Sequence, residues 1–445
     1  MKRVLIITYY WPPTGGSGVQ RWVKFAKYLP QHGWQPVIYT PENPEQLAVD
    51  KSLEAEIPVE AEIIKTRITE PYELYKKFLK KSGHSKEAVE VNPVNAQNKS
   101  SVQKAAMWVR GNLFLPDPRC LWIGPSVRFL KKYLNEHPVD LIVSTGPPQS
   151  MHLIGRRLAR ETGLPWIADF RDPWTKIFYF KHLCMTRLTR RWHQKMEKKV
   201  LDDATRVVAV SPLVQLEFQA MTQTPVELIT NGYDECDFPK GEPAQASGGP
   251  DKDFVITHTG LFAADGNPDV LWEVLAQMCT KDADFSEHLR IKLVGKTDEQ
   301  VLMSIKSAGL DDKLIDMGYQ PHAVAVEQQR TASLLILPLR KEPEYKAVLP
   351  GKLFEYLASW RPVLGIGQSD GAMSMILNQT KTGVVLNWND RESLSKYISL
   401  CWSRHMKGEL TVEDADISQF TRRNLTCRMA KLFDEIINKQ SGNKE

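Results

Sequence analysis

The sequence predicts an α/β protein built from two doubly wound, Rossmann-like domains. Three observations carry that expectation. The chain has 445 residues, which exceeds one compact core and points to two domains of roughly 200 residues each. Short β-branched apolar runs alternate with longer amphipathic runs in both halves, the pattern of strand and crossover helix. Between the halves lies a Gly/Pro/Ser-rich stretch, KGEPAQASGGPDK at 240–252, which reads as a linker. The expected boundaries are 1–238, a linker at 239–252, a second domain at 253–412 and a final helix within 413–445.

Composition narrows the class. The chain is 42% hydrophobic and 25% charged, without an apolar run long enough to span a bilayer, which suits a soluble globular protein. The N-terminal apolar core runs into Tyr9-Tyr10-Trp11-Pro12-Pro13, no small-residue cleavage site, so it reads as a first strand and not a signal peptide. Six scattered cysteines with no C-x-x-C pair argue against zinc or a disulfide framework. A net charge of +5 suits lingering at an anionic membrane face, but is too small to argue for nucleic acid.

The N-terminal half opens with an apolar strand at 4–8, a loop YYWPPTGGSGVQR, a helix at 19–29 and a strand at 33–39, which is a βαβ unit. In that loop Gly15, Gly16 and Gly18 let backbone approach a ligand at the helix start; a plain turn is the other reading. Arg21, just inside the helix, reads as solvated or ion-paired. At 72–81 the aromatic and leucine residues interleave with Lys76, Lys77, Lys80 and Lys81. This predicts a basic amphipathic helix, either packed on the core or touching a membrane or lipid-linked acceptor, followed by a polar loop at 82–101.

A helix at 125–134 and a strand at 139–144 come next. The strand ends in TGPPQS, where Gln149 or Ser150 is placed to cap a helix at 151–162. A further buried strand begins at 165–167 and ends in Ala168-Asp169-Phe170-Arg171-Asp172-Pro173-Trp174. Two carboxylates flanking an arginine at a strand end are costly to bury unless they pair with each other or meet a ligand. Asp169, Arg171 and Asp172 are therefore the strongest polar constellation of this half and candidates to meet a ligand, an internal Arg–Asp network being the alternative. A strongly basic helix, TRLTRRWHQKMEKKVL at 186–201, follows, with His193 expected to face solvent or pack on Trp192. Strands at 207–211 and 226–230 lead into Asn231-Gly232-Tyr233-Asp234.

After the linker the alternation restarts: strands at 254–258, 291–294 and 334–337, with helices at 268–278 and 299–308. The most informative stretch is LPGKLFEYLASWRPVLGIG at 349–367. Pro350-Gly351 opens a short helix at 352–360, and 363–366 is a buried parallel strand. A helix N-terminus behind glycine offers free N–H groups and a positive dipole end to a phosphate. Lys352 adds a cation, and Glu355 is placed to accept hydrogen bonds from vicinal hydroxyls such as those of a ribose. An ordinary Pro-Gly turn with a solvated lysine and glutamate is the alternative. The chain ends in an amphipathic helix at about 417–437.

GGSG, DFRDPW, NGYD, VGK and PGKLFEYLA, taken in order, resemble the retaining glycosyltransferases of family 4. The resemblance implies the GT-B fold, two Rossmann-like domains facing across a cleft, with the last helix returning to the first domain. It implies transfer of a hexosyl group from a nucleotide-sugar donor to a cell-surface glycan or lipid-linked acceptor. No metal or cofactor is implied, and the setting is cytoplasmic or peripheral at the inner membrane face. It assigns Glu355 to the ribose, as the second glutamate of an E-x7-E motif whose first position is Ala347 here. The strand end that carries a histidine in many members is DFRDPW here, which passes that role to Asp169, Arg171 or Asp172. The usual arginine and lysine clamp on the diphosphate falls in Leu261-Phe262-Ala263-Ala264-Asp265-Gly266-Asn267, with neither cation. Lys352, with Arg340 or Lys296, is the expected substitute. Two other readings stand beside this one: a GT-B nucleotide-sugar epimerase, and a non-catalytic nucleotide-sugar-binding scaffold.

Overall fold

The computed structural model describes residues 1–45, 49–70, 101–238, 249, 252–412 and 415–442. The basic helix expected around Lys76 to Lys81 and most of the linker lie outside the described residues. The chain forms two compact units, Met1–Thr230 with Leu425–Glu445, and Asn231–Asn424.

The first unit is a seven-stranded parallel sheet in the order β3-β2-β1-β4-β5-β6-β7. Its strands are β1 Lys2–Ile7, β2 Trp34–Pro41, β3 Glu62–Thr66, β4 Leu141–Gly146, β5 Trp166–Phe170, β6 Arg206–Ala209 and β7 Val226–Leu228. Its helices are α1 Ser17–Tyr28, α2 Ser101–Leu113, α3 Ile123–Glu136, α4 Ser150–Thr162, α5 Arg187–Asp203 and α6 Pro212–Met221. The continuous apolar run of β1, Val4 to Ile7, is fully buried, as a central parallel strand covered on both faces requires. One face packs on α1 through Val19, Trp22, Val23 and Ala26, and on the last helix, α14 (Arg422–Gly442), through Leu425, Met429 and Phe433. Those α14 spacings of four put the three on one stripe, and Phe433 meets Trp34 edge-on at 5.1 Å.

The second unit is a six-stranded parallel sheet in the order β10-β9-β8-β11-β12-β13. The strands are β8 Phe254–Thr259, β9 Leu289–Val294, β10 Leu314–Asp316, β11 Leu334–Pro338, β12 Val363–Ile366 and β13 Gly383–Leu386. The helices are α7 Asp269–Lys281, α8 Ala283–His288, α9 Glu299–Ser307, α10 His322–Arg330, α11 Gly351–Ala358, α12 Ala372–Thr380 and α13 Arg391–Met406.

Both sheets run outward from their first strand and then reverse, between β1 and β4 and between β8 and β11. Crossovers leave the sheet in opposite directions there, opening a crevice at the carboxyl ends of the strands, where doubly wound folds bind ligands. The loops at those ends are the ones after Ile7, Gly146 and Phe170 in one unit, and after Thr259, Val294 and Pro338 in the other.

Several elements had no sequence expectation: β3, α2, α6, α8, β10, α10, α12, β13 and α13. β3 (EIIKT) and β10 (LID) are edge strands, half-exposed and polar, without the apolar run that marks a central strand. The final helix starts at Arg422, later than expected. Thr421 is bridged in parallel to Tyr233, and Arg422 N donates to the Tyr233 carbonyl at 2.8 Å, so backbone pairing holds 420 and 421 outside the helix.

Candidate functional site

In the first unit the β5 strand end separates three residues that the sequence leaves equivalent. Asp169 is fully buried. Its carboxylate accepts from Arg21 Nη2 at 2.8 Å and Nε at 3.2 Å, from Trp22 Nε1 at 2.8 Å and from Thr145 Oγ1 at 2.8 Å. Burial pushes its pKa up, but the Arg21 charge and these donors outweigh burial and hold it below the usual carboxylate value. Arg21, itself buried, also donates to the carbonyls of Thr230 and Ile229, at 2.8 and 2.9 Å. Arg21 is thus ion-paired and not solvated. The Asp169 carboxylate is taken up by α1 and β4, and so organises the crevice.

Arg171 closes the loops around that crevice. Its Nη1 donates to the Gly18 carbonyl and its Nη2 to the Pro147 carbonyl, and its guanidinium lies 5.6 Å from the Tyr10 ring centre. Burial lowers its pKa, with Asp172, Tyr10 and Asp169 pulling the other way. A Cβ on Gly18 would stand 2.7 Å from Arg171 Nη1, so glycine is needed there for the guanidinium to dock. Gly16 adopts φ 101°, while Gly15 sits half-buried one residue earlier. The glycine loop and the DFRDPW loop, separated by some 150 residues of sequence, are therefore brought together by Arg171.

Asp172 is different. It is half-buried, and among the described residues no group hydrogen-bonds its carboxylate. Burial raises its pKa to about 6 against the pull of Arg171. Of the three, it has the unsatisfied acceptor capacity that a ligand hydroxyl would use.

Two further sequence expectations are corrected here. His193 neither faces solvent nor packs on Trp192. It is buried, accepts from Trp174 Nε1 at 3.0 Å, and burial drives its pKa down to about 4. Neither Gln149 nor Ser150 caps α4; Asp117 does so from the loop between α2 and α3, accepting from Ser150 N and Oγ, both at 2.8 Å. Sequence reasoning also missed Glu197. This α5 side chain accepts from Trp174 N at 3.1 Å, from Thr175 N at 3.2 Å and from Thr175 Oγ1 at 2.5 Å, and so fixes the loop just after Asp172. A lone glutamate in a run of cations was the available signal.

In the second unit, α11 starts at Gly351 behind Pro350 (φ −60°, ψ 139°), and no side chain caps it. Lys352 Nζ reaches back to 3.5 Å from both His258 Nε2 and the Leu261 carbonyl. His258 is buried and neutral, its pKa lowered to about 3 by burial and the Lys352 charge. Both ring nitrogens face carbonyl oxygens, Nδ1 that of Ile336 at 3.1 Å and Nε2 that of Leu261 at 3.4 Å; the shorter contact favours the Nδ1–H tautomer, in which Nε2 turns a lone pair toward Lys352. Burial lowers the Lys352 pKa to about 8, with Glu355 opposing.

Glu355, one turn further on, is half-buried; its Oε2 accepts from Gln329 Nε2 at 3.0 Å. The same amide nitrogen donates to Thr259 Oγ1 at 3.0 Å, and Thr259 N donates to Tyr356 Oη at 2.9 Å. Gln329, unforeseen, thus ties α10, α11 and the end of β8 into one buried frame.

Backbone packing at this strand end demands glycine twice. Gly260 (φ 91°) lies under Lys352, with a Cβ position 2.7 Å from Nζ, and a Cβ on Gly295 (φ 131°) would stand 2.4 Å from the Gly260 carbonyl oxygen. Of the two other candidate cations, Arg340 pairs with Asp265 at 2.8 Å, and Lys296 is exposed while its carbonyl accepts from Phe262 N at 2.9 Å. Among the described residues no group of three or more His, Cys, Asp or Glu side chains is placed to hold a metal ion.

Residues 77–235 match the family model described as Glycosyltransferase Family 4. Over 99% of this chain and 100% of the other, the structure is similar to sucrose-phosphate synthase from Thermosynechococcus elongatus, with a TM-score of 0.60 at 14% identity. The chain has the GT-B fold. Its likeness to WaaG, a glycosyltransferase involved in lipopolysaccharide biosynthesis, covers 97% of this chain and 99% of that one, with a TM-score of 0.54 at 14% identity. A putative UDP-N-acetylglucosamine 2-epimerase from Listeria monocytogenes matches as well, with a TM-score of 0.54 at 10% identity over 99% and 98% of the two chains. At such identities the likeness speaks for the fold, and the residues must speak for the reaction. No curated protein matches the sequence. No described helix is long and apolar enough to cross a membrane.

Proposed function

We propose that the protein is a retaining, metal-independent glycosyltransferase that moves a hexosyl group from a nucleotide sugar to a glycan or lipid-linked acceptor. The observation that carries the proposal is the Lys352–Glu355 pair on α11, at the carboxyl ends of β8 and β11. Lys352 and the uncapped helix start present positive charge to a diphosphate. Glu355, held through Oε2 by Gln329, keeps acceptor capacity for two ribose hydroxyls. In the front-face displacement this reading entails, the bond from the anomeric carbon to the donor phosphate oxygen breaks as the acceptor oxygen bonds from the same face. The acceptor proton passes to the departing phosphate oxygen. Lys352 and the helix dipole stabilise the charge that develops on that diphosphate. Asp172, ionised, would accept a hydrogen bond from a substrate hydroxyl at the first unit's crevice, with Arg171 positioning it.

Calorimetric titration with UDP, GDP and their sugar conjugates tests the reading, followed by turnover with the donor that binds. Glu355→Gln should weaken that nucleotide by about 1–3 kcal/mol, since a charged hydrogen-bond acceptor is lost; an unchanged Kd removes Glu355 from the ribose. Asp172→Asn should leave donor affinity intact and lower kcat/KM about 30-fold, equivalent to about 2 kcal/mol. With the carboxyl pKa near 6, wild-type kcat/KM should rise with pH through that value, and the variant should lose this limb. A wild-type profile in Asp172→Asn would exclude the role. A nucleotide that binds without any turnover would favour the non-catalytic scaffold.

A further inference from the structure

The basic helix singled out in the sequence remains unused by this reading on its outer face. Its inner face is accounted for: Thr189, His193, Glu197 and Val200 are buried, and His193 and Glu197 hold the Trp174–Thr175 loop. Between 187 and 199 the outer face carries six exposed cations: Arg187, Arg190, Arg191, Lys195, Lys198 and Lys199. Lys198 pairs with Asp202, whereas the other five have no carboxylate partner among the described residues. The only carboxylate in that span, Glu197, is turned inward.

Two large apolar side chains stand among these cations, Leu188 at 65% and Trp192 at 57% exposure. At about 100° per residue, Leu188, Trp192, Lys195 and Lys199 fall within about 60° of arc. Leu113, at the end of α2, is exposed beside the head of α5, where Asn112 Oδ1 accepts from Thr186 N at 2.8 Å. Solvent exposure of an aliphatic and an indole side chain inside a cationic stripe is unfavourable for a free surface, yet it suits an interface where apolar tips enter acyl chains and cations meet headgroups.

We infer that the outward face of α5 is a docking surface for an anionic lipid bilayer. Between 187 and 199 the face carries no exposed carboxylate, and Asp202 and Asp203 at the end of the helix are paired with Lys198 and Arg156, so the net charge suits an anionic surface. An exposed leucine gains nothing on a nucleic acid, whereas leucine and tryptophan both gain from burial at a bilayer boundary. Because the inner side of the same helix holds the loop after Asp172, docking would present that loop close to the lipid surface. The inference stands on the surface of one unit and does not depend on turnover, so it survives or fails apart from the proposed reaction.

Vesicle co-sedimentation of the full chain tests it, comparing phosphatidylcholine with equimolar phosphatidylcholine and phosphatidylglycerol. The wild type should sediment with the anionic vesicles, release as salt is raised, and ignore the neutral ones. Leu188→Ser with Trp192→Ser should bind about tenfold more weakly, and Lys195→Glu with Lys199→Glu should lose both binding and its salt dependence. Both pairs are on the exposed side, and an unchanged far-UV circular dichroism spectrum and thermal midpoint establish that the fold is kept. Equal binding to neutral vesicles, no binding to anionic ones, binding of single-stranded RNA in place of vesicles, or wild-type binding by the variants would each overturn the assignment.

Discussion

Replacing Asp169 with alanine should destabilise the first unit by about 3–5 kcal/mol, because it leaves the Arg21 guanidinium buried without its counter-charge. Arg21 and Asp169 are 1% and 0% exposed, so no solvent can substitute for the lost partner. Trp22 Nε1 and Thr145 Oγ1 would lose their acceptor in the same stroke. Asp169→Asn keeps the shape but not the charge, and should cost less than the alanine change while still lowering the melting temperature. The pH sign follows from the depressed pKa of Asp169: its contribution is present above the unfolded carboxyl value of about 3.9 and is lost as pH falls through the lower folded value. Urea unfolding read at the first unit's tryptophans checks both points. A double replacement, Arg21→Met with Asp169→Leu, should recover much of the loss, since a packed apolar pair often matches a buried ion pair. If Asp169→Ala unfolds within about 0.5 kcal/mol of the wild type, the pair is not structural, and Asp169 returns to the list of ligand-facing groups.

This explains what the sequence could and could not disclose about DFRDPW. Two carboxylates and an arginine at a strand end announced an unusual site, and that much follows from residue type and strand order alone. The partners that divide the three residues come from distant segments: Arg21 and Trp22 from α1, Thr145 from β4, and the carbonyls of Gly18 and Pro147. No local pattern records which carboxylate α1 will claim. His193 went astray for the same reason: a basic, solvent-seeking helix hides the one face that Trp174 and Glu197 bury. The central strands were legible because parallel strands covered on both faces read as continuous apolar runs, as in β1 and β11. The elements between Ile366 and the final helix were not. β13 is only four residues long, and α13 shows little periodicity in RESLSKYISLCWSRHM, its start being fixed by Asp390 accepting from Ser393 N at 3.0 Å. On α11, the residue types and spacing of Lys352 and Glu355 already pointed to a phosphate and a ribose. That His258 and Gln329 hold them in place could be seen only once β8 and α10 were folded against the helix.

That placement makes Lys352 the second residue whose loss should matter most. Lys352→Ala should weaken the nucleoside diphosphate that binds by about 2–3 kcal/mol, or roughly 30- to 150-fold, through loss of a charge-assisted contact in a partly desolvated position. Arg340 cannot take over without giving up Asp265, which holds it at 2.8 Å. The pH dependence separates this role from a merely structural one. With its pKa lowered to about 8, Lys352 loses its proton as pH rises above that value, so wild-type nucleotide affinity should fall there. The alanine variant should show weak, flat binding across the same range. Stability should move the opposite way. Between pH 8 and the unfolded lysine value of about 10.4 the unfolded chain binds the extra proton, so this site's contribution to stability grows as pH rises. Affinity falling while stability gains, both abolished by one substitution, is an outcome that a solvated surface lysine could not give. Calorimetric titration and thermal unfolding between pH 7 and 10 measure the two sides, and parallel curves for wild type and Lys352→Ala would remove the lysine from the diphosphate site.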